Sequence, residues 1–213
     1  TIALQGYGNA GSWFAKAARE AGHKIVAVSD SSGLVRAKGG LPIDRLSQVK
    51  EEKGEVSALT GEGISSLKDG AKIVEQECDV LVLAALGGVI AGPEDVEKLG
   101  CKAIVEIANR PILPAADDAL RQAGIEVVPD ILANGGGVVV SHAEWVQGRQ
   151  GRPWKEHEVE TYLEDHISDA ADRVRRLMDS HGLDMRTAAH GCALQRLCAG
   201  ISASGLAKDY ADG

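Results

Sequence analysis

The run Gly6-Tyr7-Gly8-Asn9-Ala10-Gly11 places glycines at its first, third and sixth positions, just after an apolar stretch and at the start of a helical one. In this arrangement the first glycine allows a tight turn. The second lets a pyrophosphate approach the backbone, and the third lets the helix lie close to the strand. The helix start then offers N–H groups and the positive end of its dipole to phosphate oxygens. Nineteen residues beyond Gly11, at the end of the next apolar run, stands Asp30. That is where a carboxylate hydrogen-bonds a ribose 2′-hydroxyl. A GxGxxG run alone also suits a purely structural turn. The ordered series of strand, glycine turn, helix, strand and acid favours binding of a dinucleotide, NAD or NADP. Asp30 tilts the choice toward NAD, because a carboxylate repels a 2′-phosphate. Ser31 and Ser32 carry hydroxyls suited to such a phosphate, and Arg36 or Lys38 is near enough in sequence to approach it.

A second stretch, Val128-Pro129-Asp130-Ile131-Leu132-Ala133-Asn134-Gly135-Gly136-Gly137-Val138, runs from a strand end through glycines into a helix. In a doubly wound sheet this loop lies on the ligand side. Asn134 has an amide donor and acceptor for a carboxamide or a ribose hydroxyl, although an Asn before glycines is also a common turn former.

Other reactive groups form no competing constellation. There is no GxSxG or P-loop pattern, so acyl and phosphoryl transfer have no support. His142 lies on a helix and reads as a packing or surface residue. His157, His166, His181 and His190 show no i, i+4 pair, and no metal site is expected. Lys16, Lys50 and Lys72 fall on helical stretches and are expected to face solvent. Cys78, Cys101, Cys192 and Cys198 make no CxxC pair and read as reduced core thiols of an intracellular protein.

The elements that must position these residues alternate as far as about residue 135. Apolar runs at Ile2 to Gln5, Lys24 to Ser29, Val80 to Ala84, Ala103 to Glu106 and Glu126 to Val128 read as strands covered on both faces. Helices are predicted over Ala10 to Ala21, Asp44 to Lys53, Pro93 to Leu99 and Pro114 to Ala123, each followed at once or nearly so by glycine. The alternation predicts an α/β fold: a Rossmann-type, doubly wound, mostly parallel sheet with helices on both faces. From Val138 the pattern is helical only. One stripe is Val159, Leu163, Ile167, Ala170, Val174 and Leu177, and a second is Met185, Ala189, Ala193, Leu197 and Ile201. Both stripes need something to pack against. Gly148 to Pro153 is a polar hinge candidate, so the expected division is a dinucleotide domain over 1-150 and a C-terminal helical extension over 151-213.

With 213 residues, 44% hydrophobic and 25% charged, the chain can bury a core without cross-links. Aromatics are only 3%, so that core must be aliphatic. A net charge of −8 disfavours nucleic acid and anionic membranes as partners. No apolar run approaches the length of a membrane span. TIALQGYG at the start is already strand and turn, which suggests that a segment precedes it.

The combination GYGNAG, AVSDSSG, VEIANRP and VPDILANGGGVVVSHAEWVQ resembles the C-terminal domain of the glutamate/leucine/phenylalanine/valine dehydrogenase family, and EWVQ is most like its glutamate members. The resemblance covers essentially the whole chain. It implies that Gly6, Gly8, Asn9, Ala10 and Gly11 hold the pyrophosphate, and that Asp30 and Ser31 meet the adenosine ribose. Ala85 would lie along the cofactor, Asn109 and Asn134 would contact the nicotinamide half, and Val138 and Ser141 would help form an amino-acid pocket. Two departures stand out. Family members often read GANGPTTP where this chain has Ile107-Ala108-Asn109-Arg110-Pro111-Ile112-Leu113-Pro114. Gly87-Gly88 replaces an acidic or amide residue followed by Asn.

The function implied is oxidative deamination of an amino acid, glutamate first, to a 2-oxo acid by a cytoplasmic, homo-oligomeric enzyme. The catalytic lysine and aspartate would sit on a separate N-terminal domain, so this chain alone is expected to be inactive. Two other classes fit less well. A non-catalytic NAD(H)-sensing module would not need the substrate-side residues of the PDILANGGGVVVSH stretch, and an oligomerisation scaffold rests only on the two C-terminal stripes.

Overall fold

The computed structural model describes residues 1–85 and 87–204. The chain forms two compact units, Thr1–Asp130 and Ile131–Gly213.

The first unit is built on a seven-stranded sheet in the order β4-β3-β2-β1-β5-β6-β7. Its strands are β1 (Ile2–Gln5), β2 (Ile25–Asp30), β3 (Gly33–Arg36), β4 (Ser65–Leu67), β5 (Val80–Leu83), β6 (Ala103–Glu106) and β7 (Glu126–Val128). β1 pairs in parallel with β2 and β5, β5 with β6, and β6 with β7. The helices are α1 (Asn9–Glu20), α2 (Ile43–Lys53), α3 (Pro93–Val96) and α4 (Asp117–Gln122). The parallel strands and these helices agree with the sequence reading to within a few residues. The stretch from Pro114 divides into a 3₁₀ turn, Pro114–Ala116, and α4.

Alternate residues of each strand feed opposite faces of the sheet. Ile2, Leu4 and Val82 join Ala15 and Ala18 of α1 and Ile43 and Leu46 of α2 in one buried cluster. Ala3, Leu81 and Leu83 join Val96 of α3 and Leu120 of α4 in the other. Both faces are therefore covered, and the strands read as continuous apolar runs for that reason. The chain winds outward from β1 to β4, then resumes with β5 on the opposite side of β1. The switch of winding direction between β1 and β5 opens a crevice at their carboxyl ends.

Two strands were not foreseen. β3 runs antiparallel to β2 after the two-residue turn Ser31-Ser32, and β4 runs antiparallel to β3. They are only four and three residues long, too short for an alternation to stand out.

The second unit is helical. After the short turn α5 (Asp130–Ala133), which starts on the last residue of the first unit, come α6 (Gly136–Gln150), α7 (Glu156–His181) and α8 (Met185–Ser204). The unit begins at Ile131 rather than after position 150, and within it α6 packs against α7. The hinge foreseen at Gly148 to Pro153 spans the end of α6 and the start of the α6–α7 connection, with Gly151 in the left-handed conformation. Val174, Ala188 and Ala189 form the buried centre, with Leu132, Leu177 and Met185 packed on it. The α8 stripe is satisfied only in its first half, since Leu197 and Ile201 are exposed.

Of the cysteines, Cys78 and Cys101 are buried as read, Cys192 is half-buried, and Cys198 is exposed. Cys198 falls on that second half of α8, where no core covers the helix.

Candidate functional site

The glycine turn is shaped by close approach. Gly6 has φ +92, and a Cβ there would stand 2.8 Å from Ala85 N and Cβ. A Cβ on Gly11 would meet the Gly6 carbonyl oxygen at 2.1 Å. Gly8 differs: a Cβ there would meet nothing within 4 Å. The outer two glycines thus let α1 and β5 close on β1, while the middle one faces open space. Gly8 is the N-cap of α1, and no side chain caps that end. The first-turn N–H groups, among them those of Asn9, Ala10 and Gly11, are the orphan donors a pyrophosphate needs.

At the carboxyl ends of β1, β2 and β5 lies an open groove of about 670 Å³, whose lining includes Gln5, Gly6, Asp30, Ser31, Lys72 and Ala85. The structure thus brings together Gly6, Asp30, Ser31 and Ala85, with Gly8 to Gly11 leading on from Gly6. Gln5 was not foreseen. Its side-chain oxygen accepts the Ala85 N–H at 3.3 Å and fixes the segment after β5. A larger groove of about 710 Å³, lined by Thr1, Arg36, Lys38 and Glu75 among others, lies near the starts of β1 and β2 and carries none of the residues expected at the pyrophosphate, the ribose or the nicotinamide.

Asp30 is where the geometry departs most from expectation. Its Oδ1 accepts the Ser32 N–H at 2.7 Å and the Ser32 hydroxyl at 2.5 Å. Its Oδ2 accepts from Lys50 Nζ at 2.6 Å and the Val56 N–H at 3.1 Å. A carboxylate has about four lone-pair sites, and here all are taken. Burial pushes the Asp30 carboxyl up. The Lys50 ammonium, the Ser32 hydroxyl and the two N–H groups outweigh it and hold the group below the usual carboxylate range.

Lys50, expected in solvent, therefore turns inward. The same ammonium reaches the Gly54 carbonyl at 2.7 Å, at the end of α2. Arg36 and Lys38, expected as possible phosphate partners, line the other groove instead. Arg36 pairs with Ala27 while Gly33 pairs with Asp30, which carries Arg36 about 10 Å back along the sheet. Its guanidinium bonds Ser65 and Gln76.

Asn109 is exposed in the loop after β6. Arg110 beside it has φ +50 and is the only positive-φ residue other than glycine among the described residues. The position where the family resemblance leads to the expectation of glycine is thus a left-handed turn, and here arginine occupies it.

In the second unit, Asn134 lies between α5 and α6, and Val138 and Ser141 are exposed one turn apart on α6. His142 on that helix bonds the Tyr162 hydroxyl through Nδ1 at 2.8 Å and stacks with Trp145 and Tyr162, as a packing residue would.

A sheet with a winding switch at β1 and β5, a glycine turn shaped for phosphate and an uncapped helix start beside it define a dinucleotide-binding α/β domain. The chain belongs to the Glutamate/Leucine/Phenylalanine/Valine dehydrogenase family, which matches residues 1–205. It is 43% identical over 207 residues to the NADP-specific glutamate dehydrogenase A1 of Halobacterium salinarum, covering 96% of this chain and 49% of that protein. The hetero-hexameric glutamate dehydrogenase of Thermus thermophilus superposes with a TM-score of 0.83 at 33% identity, over 92% of this chain and 45% of that one. Glutamate dehydrogenase from Peptoniphilus asaccharolyticus gives 0.80 at 28% identity, over 96% and 47%. The chain spans about half the length of the relatives it matches.

Proposed function

We propose that this chain is the cofactor-binding part of an NAD(P)-dependent glutamate dehydrogenase that converts an L-amino acid to a 2-oxo acid and ammonia. The observation that carries the reading is the cradle at Gly6, Gly8 and Gly11. Two glycines have no room for a Cβ and one faces open space at an uncapped helix start. Bound there, the nicotinamide would accept the hydride from the amino-acid α-carbon.

The chain's own residues bind and orient. Gly8, Asn9, Ala10 and Gly11 would hold the pyrophosphate through N–H groups and the dipole of α1. Ala85 lies at the groove beside Gly6, and Asn109 and Asn134 would address the nicotinamide half. Val138 and Ser141 would face the amino-acid side chain. We assign no proton-transfer residue within this chain; the lysine and aspartate of the family chemistry belong to its other domain. The cytoplasm and a homo-oligomer of the full-length protein complete the reading.

Asp30 bears on cofactor choice. With its acceptors filled, its carboxylate has none left for a 2′-hydroxyl, and Lys50 offsets its charge in place. That removes much of the repulsion that would exclude a 2′-phosphate, and the Ser31 hydroxyl lies alongside. NADP is therefore accepted at least as well as NAD, contrary to the preference that Asp30 suggests in the sequence. Titrating the chain with NADPH and NADH, following nicotinamide fluorescence, tests both points. Saturable binding with NADPH no weaker than NADH is expected. Binding of neither nucleotide would overturn the assignment.

A further inference from the structure

We propose that Glu106 and Asp130 form a two-carboxylate clamp that positions the Asn109 loop at the nicotinamide end of the groove. This rests on the reading of that groove as an NAD(P) site.

Glu106 ends β6 and is fully buried, one of only two buried polar or charged residues among those described. A buried carboxylate is costly unless it is hydrogen-bonded, so its place needs an explanation. Its Oε2 accepts the Asp130 N–H at 2.9 Å, which fixes the chain as it leaves β7. Asp130 Oδ2 in turn accepts the Arg110 N–H at 2.8 Å. Arg110 is the residue held in the left-handed turn, a conformation that a non-glycine residue keeps only when its surroundings enforce it.

The loop is anchored on both sides of Asn109. The Ile107 and Ala108 N–H groups bond the Leu83 carbonyl at 2.9 and 2.8 Å, and the Val89 N–H bonds the Pro111 carbonyl at 2.8 Å. Backbone bonds to the end of β5 and to the segment after it thus hold residues 107, 108 and 111, and the Gly88 N–H reaches the Arg110 carbonyl at 3.4 Å. The Asp130 carboxylate holds the Arg110 N–H from the β7 side. Asn109 lies between the Ala108 and Arg110 anchors, and the clamp sets the backbone from which its amide projects.

The test compares two ligands on the whole chain: NADPH, and 2′-phospho-ADP-ribose, which lacks the nicotinamide. Asp130→Ala is expected to weaken NADPH about tenfold, the scale of one lost charge-assisted hydrogen bond. Affinity for 2′-phospho-ADP-ribose should not change, and the emission of bound NADPH should move toward that of the free nucleotide. Asp130→Asn, which keeps an acceptor oxygen, should restore most of the affinity. Equal weakening of both ligands, or no weakening of NADPH, overturns the clamp. A parent chain that binds neither ligand overturns the reading of the groove itself. Amide exchange on the unmodified chain serves where a variant does not fold. The Arg110 N–H should exchange slowly, and NADPH, unlike 2′-phospho-ADP-ribose, should slow Asn109 further. Rapid exchange at Arg110, or equal protection by both ligands, overturns the proposal.

Discussion

Lys50 Nζ lies 2.6 Å from Asp30 Oδ2, joining α2 to the end of β2 at the rim of the groove. The Asp30 side chain is 7% exposed and that of Lys50 29%, so the pair is partly shielded from water. Removing one partner leaves a largely buried charge uncompensated. Lys50→Met should lower unfolding stability by about 1–3 kcal/mol, and Lys50→Met with Asp30→Asn should recover part of that loss. The single variant should also shift preference from NADPH toward NADH, because the anionic carboxylate again opposes a 2′-phosphate. Urea unfolding and parallel nucleotide titrations measure both effects. An unchanged ratio of affinities would sever the pair from cofactor choice.

The acid limb of stability should report the same carboxylate. Asp30 is held below its ordinary value in the folded state, so the unfolded chain binds the proton more readily. Its contribution is present above the unfolded value near ~3.9 and is lost as pH falls through the lower folded value. Asp30→Asn should therefore be less stable than the parent at neutral pH, and the difference should shrink below about pH 4. A difference that stays constant across the acid range would rule out the linkage.

The parts of the site that depend on local sequence could be read from it. Gly6, Gly8 and Gly11 announce themselves because turn, approach and packing all occur within six residues, and the strands of the parallel sheet are apolar except near their ends. The partners of Asp30 could not be read in that way. Lys50 and Val56 lie on later segments that reach Asp30 only once α2 has folded over the sheet, and a lysine on a helix otherwise looks solvated. The Glu106–Asp130–Arg110 connection is hidden for the same reason: its bonds run between loops distant in sequence. The mispositioning of Arg36 follows from an unforeseen hairpin, which turns the chain back along the sheet immediately after Ser32.

The three glycines of the turn should separate folding from binding. Gly11→Ala drives a Cβ into the Gly6 carbonyl at 2.1 Å, and backbone cannot yield as a flexible side chain does. A loss of about 2–4 kcal/mol is expected. Gly8→Ala has nothing within 4 Å to meet and a φ of −90 that alanine adopts freely, so its unfolding midpoint should stay close to the parent's. Its methyl group would occupy the space a pyrophosphate needs, and nucleotide affinity should fall at least tenfold, about 1.4 kcal/mol. Calorimetry beside the fluorescence titration gives both readings. Unchanged NADPH binding by Gly8→Ala would place the phosphates elsewhere.

Thiol reactivity should follow burial and ionisation together. Burial pushes the Cys101 thiol up to about 11, with the neighbouring Cys78 adding to the shift, and burial raises Cys78 as well. The thiolate is the nucleophile, so at pH 8 both groups are overwhelmingly protonated as well as covered. Cys198 is exposed on α8. Timed alkylation with iodoacetamide, read by mass spectrometry of peptides, should label Cys198 first and Cys192 next. Cys78 and Cys101 should be labelled only at rates set by opening of the sheet unit. Because these two sit in the core cluster with Leu81, Val96 and Ile104, bound NADPH should slow their labelling by stabilising that unit while leaving the Cys198 rate untouched. Labelling of Cys101 as fast as Cys198 would mean that the α3–α4 face opens far more readily than its packing implies.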